Sequence, residues 1–147
     1  MADIIFNIAK GKIAYFAGLP AANDALIAVP IETTGIVADA TMRDYDTLAD
    51  LLAGASNEQT TMGRQTLASV TATVDDTNDR VDISAATISW SAASGNAISA
   101  IVICYDPDTT GGTDADLVPL SKHDFVATPD GSTVQATITS PYFVRAA

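Results

Sequence analysis

Four aspartates flank a pair of glycines in the loop over residues 106–116, and these residue types could bind a cation. The carboxylates belong to Asp106, Asp108, Asp114 and Asp116. Calcium prefers oxygen ligands, and two glycines let a chain turn sharply, so the loop could wrap one calcium ion. In the register of an EF-hand, however, the twelfth position is Leu117 instead of a bidentate glutamate. The favoured interpretation is a solvated connection between strands with no metal bound.

Three further side chains have the chemistry of catalytic groups. His123 is the only histidine and precedes Asp124, a pair that could act as a general base. Adjacent residues on a strand point to opposite faces, which argues against a hydrogen bond between these side chains. Cys104 is the only cysteine and lies in an apolar run, so it cannot form an intramolecular disulfide and is expected to be a buried structural thiol.

A second group of carboxylates surrounds a turn. It consists of Asp75, Asp76, Asp79 and Asp82, with Arg80 available for local pairing. Aspartate favours turns because its side chain bonds nearby backbone groups, so a turn explains this group better than a metal site does. The chain also lacks zinc-ligand spacing, a glycine-rich phosphate loop and a serine nucleophile elbow. The chain is therefore expected not to be an enzyme, and a small hydrolase is the least favoured class.

The stretch from Thr66 to Tyr105 must supply much of the frame that positions these groups. Its apolar positions are largely β-branched and alternate with small polar residues, with Asp, Asn and Gly at the interruptions. A period of two predicts half-buried antiparallel strands joined by turns, with Trp90 in the core. The expected fold class is α+β and mainly β, an antiparallel β-sandwich or barrel-like core with two short helices.

Two segments have the apolar spacing of helices. Residues 1–18 predict an N-terminal helical segment, which Gly18 ends. Residues 44–53 predict a second helix with Asp44 or Asp46 as its N-cap, followed by a glycine that suits a helix end.

The remaining segments predict strands of a single domain over residues 1–147, whose β-rich core begins at residue 25. Residues 25–33 form a strand that contains Pro30, and because proline cannot donate to a ladder this strand is expected at a sheet edge or a bulge. Asp75–Asp79 and Pro129–Gly131 are predicted as hairpin turns.

The C-terminal part of the chain predicts two short strands. Residues 133–139 alternate cleanly, with Val134, Ala136 and Ile138 on one face. Phe143 and Val144 predict the last strand. Chain ends fray unless they are tied down, so this apolar ending is expected to dock on its own domain or on a neighbouring subunit.

The net charge of the chain is strongly negative. Its 147 residues include 18 acidic and 7 basic side chains, which gives −11 at neutral pH. Such a surface repels nucleic acid and anionic membranes, so neither is an expected partner. The chain has no apolar run of about 18 residues, and its N-terminus lacks the charge order of a signal peptide. Synthesis in a cytoplasm is therefore expected.

Seven sequence blocks of this chain follow one another in a characteristic order and spacing. They are FNIAKGKI (6–13), DYDTLADLLAG (44–54), DDTNDRVDI (75–83), residues 89–120, HDF (123–125), TPDG (128–131) and YFVRAA (142–147). Together they resemble a family of small virion structural proteins of tailed bacteriophages, which are described as head decoration or minor tail proteins. The resemblance covers nearly the whole chain and is weaker between Ala17 and Ala40. None of the blocks is a catalytic motif, so no active-site residues are carried over.

The resemblance implies a capsid decoration protein that binds the outer surface of the major capsid protein lattice and stabilises it. The protein would act as a homo-oligomer, with a trimer at a local three-fold position as one arrangement. Its location would be the capsid surface of the virion, after synthesis in the host bacterial cytoplasm. A protein that binds only the assembled lattice stabilises it by mass action, and repeated attachment adds avidity. No cofactor is expected.

Both chain ends are expected to make the contacts with partners, because each is apolar and would be free to reach outside the core. The candidates are Ile4, Ile5, Phe6, Ile8, Ile13, Phe16, Tyr142, Phe143 and Val144. The alternative function is a minor tail or fibre-associated module that binds a host surface glycan or another tail protein. For a glycan, the candidate site is Tyr105 beside Asp106 and Asp108.

Overall fold

A computed structural model describes residues 3–138 and 142–146, and the fold below is that of these residues. The strands are β1 (Ile4–Ile5), β2 (Ala25–Glu32), β3 (Gln65–Thr66), β4 (Thr71–Asp75), β5 (Arg80–Ser84), β6 (Ile88–Trp90), β7 (Ile98–Asp106), β8 (Val118–Ala127), β9 (Val134–Ala136) and β10 (Val144–Ala146). The α-helices are α1 (Ile13–Ala17), α2 (Asp39–Met42) and α3 (Leu48–Ala53), and a 3-10 turn covers Asn7–Ala9.

The strands form three antiparallel sheets. The central sheet has the order β1-β8-β7-β2-β3, a three-stranded sheet has the order β10-β5-β4, and β6 pairs with β9. The predicted class, α+β and mainly β, is confirmed. Because β1 and β3 are the edges of the central sheet, that sheet does not close into a barrel.

The two inner strands of the central sheet, β2 and β7, are buried on both faces. Alternate residues of β2 show this: Leu26 and Ala28 belong to the core shared with α1 and the two smaller sheets, whereas Ile27 and Val29 belong to the core shared with α2 and α3. Residues of β7 divide between the two cores in the same way. The expectation of half-buried strands is therefore wrong for β7, which lies between β8 and β2 and has a core on either side.

The N-terminal helix is shorter than predicted. Only Ile13–Ala17 is α-helical, and it follows β1 and the 3-10 turn. Gly11 has a φ of +75°, which a right-handed helix does not contain, so the helix begins after it. The preceding residues instead extend the central sheet, where Ile4 lies opposite Lys122 and the Phe6 N–H donates to the Leu120 carbonyl over 3.1 Å.

The second helix is found at the predicted place, but its first residue is Leu48. Its N-cap is Thr47, whose Oγ1 accepts a hydrogen bond from the Asp50 N–H over 3.1 Å, so the predicted caps Asp44 and Asp46 are wrong. Helix α3 ends at Ala53, and Gly54 follows with a φ of −76°. Space is what requires glycine here, because a Cβ on Gly54 would overlap the ring of Tyr45.

One of the two predicted hairpin turns is confirmed. Asp75–Asp79 leads from β4 into its antiparallel partner β5. Pro129–Gly131 is not a hairpin turn, because it connects β8 to β9 and β9 pairs with β6 in another sheet. Pro30 lies one residue before a register shift between Ile31 and Glu32, as expected of a proline-containing strand.

The C-terminal strand docks on its own domain. β10 pairs antiparallel with β5, with Val144 opposite Ile83, and the Val144 side chain is buried. The predicted alternation is present from Val134 to Ile138, while Thr139 lies outside the described residues. The predicted docking of the C-terminal segment on its own domain is confirmed, and because β1 and β10 are both paired in sheets, the expectation that the two ends are free to reach outside the core is wrong.

Candidate functional site

An open hollow of about 280 Å³ lies between the second half of β8, β9 and the residues before β10. We call it the β8 groove and define it by its lining residues: Asp3, Ile88, Ile101, Ile103, His123, Asp124, Phe125, Ala136, Thr137, Ile138, Tyr142 and Phe143. Five of them are isoleucine or alanine, three are aromatic, and two are carboxylates. Apolar hollows with a few convergent polar groups are the usual form of a binding site.

Strand pairing explains how these residues come together. In the register between β7 and β8, Ile101 lies opposite His123 and Ile103 lies opposite Ser121. Side chains two apart on a strand share a face, so Ser121, His123 and Phe125 point to the same side of β8. Among the described residues, β1 pairs with β8 at Ser121 and Lys122, and beyond this pairing the Asp124 N–H of β8 donates to the Asp3 side chain.

Three polar side chains form a hydrogen-bonded chain at one end of the groove. His123 Nε2 lies 2.9 Å from Ser121 Oγ, and His123 Nδ1 lies 3.2 Å from Asp3 Oδ2. The other carboxylate oxygen of Asp3 accepts a hydrogen bond from the Asp124 N–H over 2.8 Å. The order of groups, serine to histidine to aspartate, is that of a hydrolase triad.

The burial of Ser121 decides what this chain of groups does. Ser121 is 0% exposed, so a substrate carbonyl does not reach its hydroxyl in this arrangement. The hydrogen bonds instead fix the residue before β1 to the edge of β8, and they orient the His123 ring edge-on to Phe143 at 6.0 Å between ring centroids. We assign the three residues a positioning role at the groove.

Sequence reasoning missed this group for a physical reason. The i, i+2 spacing of Ser121 and His123 on a strand predicts a shared face, and that signal was present in the sequence. Asp3 joins them only through the pairing of β1 with β8, at the far end of the chain. No local pattern predicts such a pairing.

Asp124 points away from His123, as the alternation of a strand predicts. Its carboxylate accepts a hydrogen bond from Lys122 Nζ over 2.6 Å, and Asp39 accepts another from the same ammonium over 2.9 Å. The Lys122 side chain is 0% exposed. Burial alone would lower the pKa of Lys122, but the two carboxylates outweigh it and hold that pKa above its ordinary value. A buried ion cluster thus supports the back of the groove.

The acidic loop does not bring its carboxylates together. Asp106 accepts from the Asp108 N–H over 3.0 Å, and Asp108 accepts from both the N–H and the hydroxyl of Thr110. Asp116 accepts from Thr113, while Asp114 forms an ion pair with Arg64 at 2.7 Å. The Thr110 hydroxyl lowers the pKa of Asp108. Across residues 3–138 and 142–146, no group of three or more ligand-type side chains is placed to hold a metal ion.

We expect calcium to leave the stability of the protein unchanged, because the loop carboxylates are engaged in separate hydrogen bonds. The melting temperature should be the same in calcium chloride, in magnesium chloride of equal ionic strength and in a chelator. A site occupied at 100 times its Kd would add about 2.7 kcal/mol and raise Tm by several degrees. A rise of that size in calcium alone, lost in the Asp108→Asn variant, would contradict the expectation.

The second acidic group is a turn, as predicted. Asp75 accepts hydrogen bonds from the backbone and the side chain of Asn78, and Arg80 lies 3.0 Å from the same carboxylate. These contacts, with the Asn78 side chain first among them, lower the pKa of Asp75. Asp82 is held by Arg145 at 2.6 Å, which lowers the pKa of Asp82 and ties β10 to β5.

Tyr105 does not provide an exposed platform for a glycan. Its ring is buried, lies 4.9 Å from the Phe16 ring between centroids, and its hydroxyl donates to Asp24 over 2.8 Å. Burial first, and then Asp24, raises the pKa of Tyr105 to about 12. The glycan site suggested at Tyr105, Asp106 and Asp108 needs an exposed Tyr105 ring, and that expectation is wrong because the ring is buried.

The nine predicted contact residues fall into two groups. Ile4, Phe6, Ile13, Phe16 and Val144 are buried in the chain's own core, and Ile5, Ile8, Tyr142 and Phe143 are half-buried. Tyr142 and Phe143 line the β8 groove, and Ile4, Ile5, Phe143 and Val144 line a second hollow of about 220 Å³. A contact between any of these residues and a partner stays a prediction.

Comparisons with models of known protein families, with curated proteins and with solved structures each find no match to this chain. The resemblance to phage virion proteins therefore stays a prediction. Within the described ranges, no helix has the length and apolar character needed to cross a bilayer.

Proposed function

We propose that this chain is a non-enzymatic structural protein of a tailed-phage virion, which decorates the outer surface of the capsid by binding the major capsid protein. The observation that carries the proposal is the composition of the β8 groove. Three of the blocks that carry the family resemblance contribute to its lining: residues 89–120 through Ile101 and Ile103, HDF (123–125) with all three residues, and YFVRAA through Tyr142 and Phe143. The resemblance thus converges on one surface hollow.

The chemistry of the groove defines the segment that it would bind. Ile101, Ile103 and Ala136 give it an apolar floor, and Asp3 adds a carboxylate to its lining, whereas the Asp124 carboxylate binds Lys122. The chain as a whole carries a charge of −11. We infer that the occupant is a segment of the capsid protein with an apolar side chain next to a lysine or arginine.

The frame around the groove is suited to stable attachment. β8 is the longest strand and belongs to a sheet with a core on either side, while Arg145 ties the strand after Phe143 to Asp82. Because the site is already formed before binding, its residues lose little conformational entropy when the partner binds. Attachment of many copies would stabilise the lattice by mass action alone.

The proposal is tested by adding the purified protein to purified heads that lack it. We expect stoichiometric binding in sedimentation and a higher temperature of head disruption. Tyr142→Ala removes one aromatic wall of the groove and should weaken binding about tenfold or more, as truncation of an aromatic hot spot does. The matched control is Tyr15→Ala, which removes a tyrosine that is 62% exposed and lies outside the groove.

Two results would contradict the proposal. Absence of binding to heads, together with density for this protein only in the tail of imaged virions, would favour the tail-module alternative. Equal binding by the wild-type protein and Tyr142→Ala would show that the groove is not the contact surface. Density in many symmetric copies on the capsid, by contrast, would establish the location directly.

A further inference from the structure

Strand β4 is an open sheet edge. In the order β10-β5-β4 it pairs with β5 on one side, and no described strand pairs with its other side. The edge strands of the central sheet, β1 and β3, are two residues long, whereas β4 has five. Among the described residues, β4 therefore offers more unpaired backbone than either edge of the central sheet.

From Thr71 to Val74, β4 has none of the charged residues or prolines that protect natural edge strands. Natural edge strands are blunted by lysine, proline, bulges or short length. The residues from Thr71 to Val74 are uncharged and exposed, Val74 is 66% exposed, and the pairing with β5 runs from Thr71 to Asp75 without a register shift. A regular, neutral and exposed edge is a template for one more strand.

We propose that β4 pairs antiparallel with β4 of a second copy of this chain, across a two-fold axis at Thr73. In this register Thr73 faces Thr73 of the other copy, Ala72 faces Val74, and Thr71 faces Asp75. No like charges lie directly opposite each other, and small or β-branched residues fill the centre, which favours cross-strand pairing. The three-stranded sheets of two copies become one six-stranded sheet.

The charge distribution favours a second copy in this antiparallel orientation. The acidic turn over Asp76–Asp79 follows one end of β4, so a two-fold axis at Thr73 places the two turns at opposite ends of the new pair. Three residues on each side of the axis, at about 3.4 Å each, separate the turns by roughly 20 Å. This distance exceeds the screening length of about 8 Å at physiological salt, so the turns repel weakly. Parallel pairing would set them side by side.

The pairing gives a dimer instead of the trimer that the family resemblance suggested. It goes beyond the proposed function, because it concerns the purified chain and needs no capsid. If the protein does not bind heads, the β4 dimer is not contradicted. If β4 does not pair, capsid binding is not contradicted. On a lattice, a dimer would present two β8 grooves and so add avidity.

Cross-linking tests the axis directly. Cys104 is buried, so Thr73→Cys gives the chain one exposed thiol. The two Cα atoms of a directly opposed antiparallel pair lie about 4.5–5.5 Å apart, within the range that a disulfide spans. We expect most of this variant to become a disulfide-linked dimer on mild oxidation, and Thr87→Cys, at another exposed threonine, to remain mostly monomeric.

Two lysine substitutions on the same face of β4 test the register. Thr73→Lys sets two lysines opposite each other in the dimer, although within one chain it lies beside Asp82, so the fold is retained. Thr71→Lys sets a lysine opposite Asp75 of the other copy. We expect the dimer Kd, from sedimentation equilibrium, to rise tenfold or more for Thr73→Lys and to fall about twofold or more for Thr71→Lys.

The opposite signs separate the proposal from a general charge effect. Each lysine reduces the net charge of −11 equally, so relief of overall repulsion would strengthen association in both variants. Shifts in the same direction, a wild-type chain that stays monomeric at millimolar concentration, or a trimer would each overturn the proposal. Thr73→Val, which keeps a β-branched neutral residue, should dimerise like the wild-type protein.

Discussion

Replacing Lys122 by methionine is expected to lower the free energy of unfolding by about 3–5 kcal/mol, the range measured when one partner of a buried ion pair is removed. The ammonium is wholly buried and donates to both Asp39 and Asp124. Its loss leaves two part-buried carboxylates without the cation that lies between them. Urea denaturation followed by Trp90 fluorescence measures the change.

The matched control is Lys12→Met, which removes the same charge from an exposed position. Its effect on the free energy of unfolding should stay within about 0.5 kcal/mol.

The pH dependence adds a second measurement, because the pKa of Lys122 is raised in the folded protein. A raised pKa gives stability that is fully present below the unfolded value of about 10.4 and is lost as the pH rises through the folded value. The difference in free energy of unfolding between the wild-type protein and Lys122→Met should therefore become smaller at strongly alkaline pH. Equal stability of Lys122→Met and Lys12→Met at pH 7 would contradict the stabilising role of Lys122.

Replacing Trp90 by alanine is expected to cost about 3–5 kcal/mol, as large-to-small substitutions of buried aromatic residues do. Trp90 is 1% exposed, and its indole N–H donates to the Gly63 carbonyl over 2.8 Å. The alanine variant loses the packing of the ring and also leaves that carbonyl without this donor. Circular dichroism must follow the denaturation, because this variant has no tryptophan to report by fluorescence.

Trp90→Phe separates the two contributions. Phenylalanine keeps most of the apolar contact and loses the hydrogen bond, so we expect a smaller cost, about 1–3 kcal/mol. Val126→Ala serves as the control for truncation of an apolar side chain, because Val126 is 83% exposed and should change stability by less than about 0.5 kcal/mol. A Trp90→Ala variant as stable as Val126→Ala would show that the β6–β9 pair does not depend on the indole.

Local interactions account for the parts of the fold that sequence reasoning predicted. The hairpin at Asp75–Asp79 forms because its own side chains, Asp75 and Asn78, bond the turn. Helix α3 forms where an apolar face and a threonine cap coincide, and only its first turn was misplaced. Turn chemistry and helix periodicity act over a few residues, so a sequence window contains them.

Non-local pairing accounts for the parts that were wrong. The continuous apolar run in β7 is typical of a strand buried on both faces, but reading only its alternate residues predicted one buried face. At the N-terminus, apolar spacing predicted a helix over residues 1–18, but the positive φ of Gly11 restricts the α-helix to Ile13–Ala17. The β8 groove needs β7, β8, β9 and the C-terminal residues at once, and none of its lining residues is unusual in its own sequence neighbourhood.

The pairing order of the central sheet has a consequence for how the chain folds. β1 cannot pair until β8 has been synthesised, because Ile4 lies opposite Lys122. In the same way, β2 needs β7, because Ala25 lies opposite Asp106. During synthesis the first strands therefore leave the ribosome long before their partners exist. Contacts of such long sequence separation are slow to close, which places this chain among domains that fold in milliseconds to seconds. The β4–β5 hairpin, whose strands are joined by one short turn, needs no such delay, and we expect its amides to gain protection from hydrogen exchange before those of the central sheet.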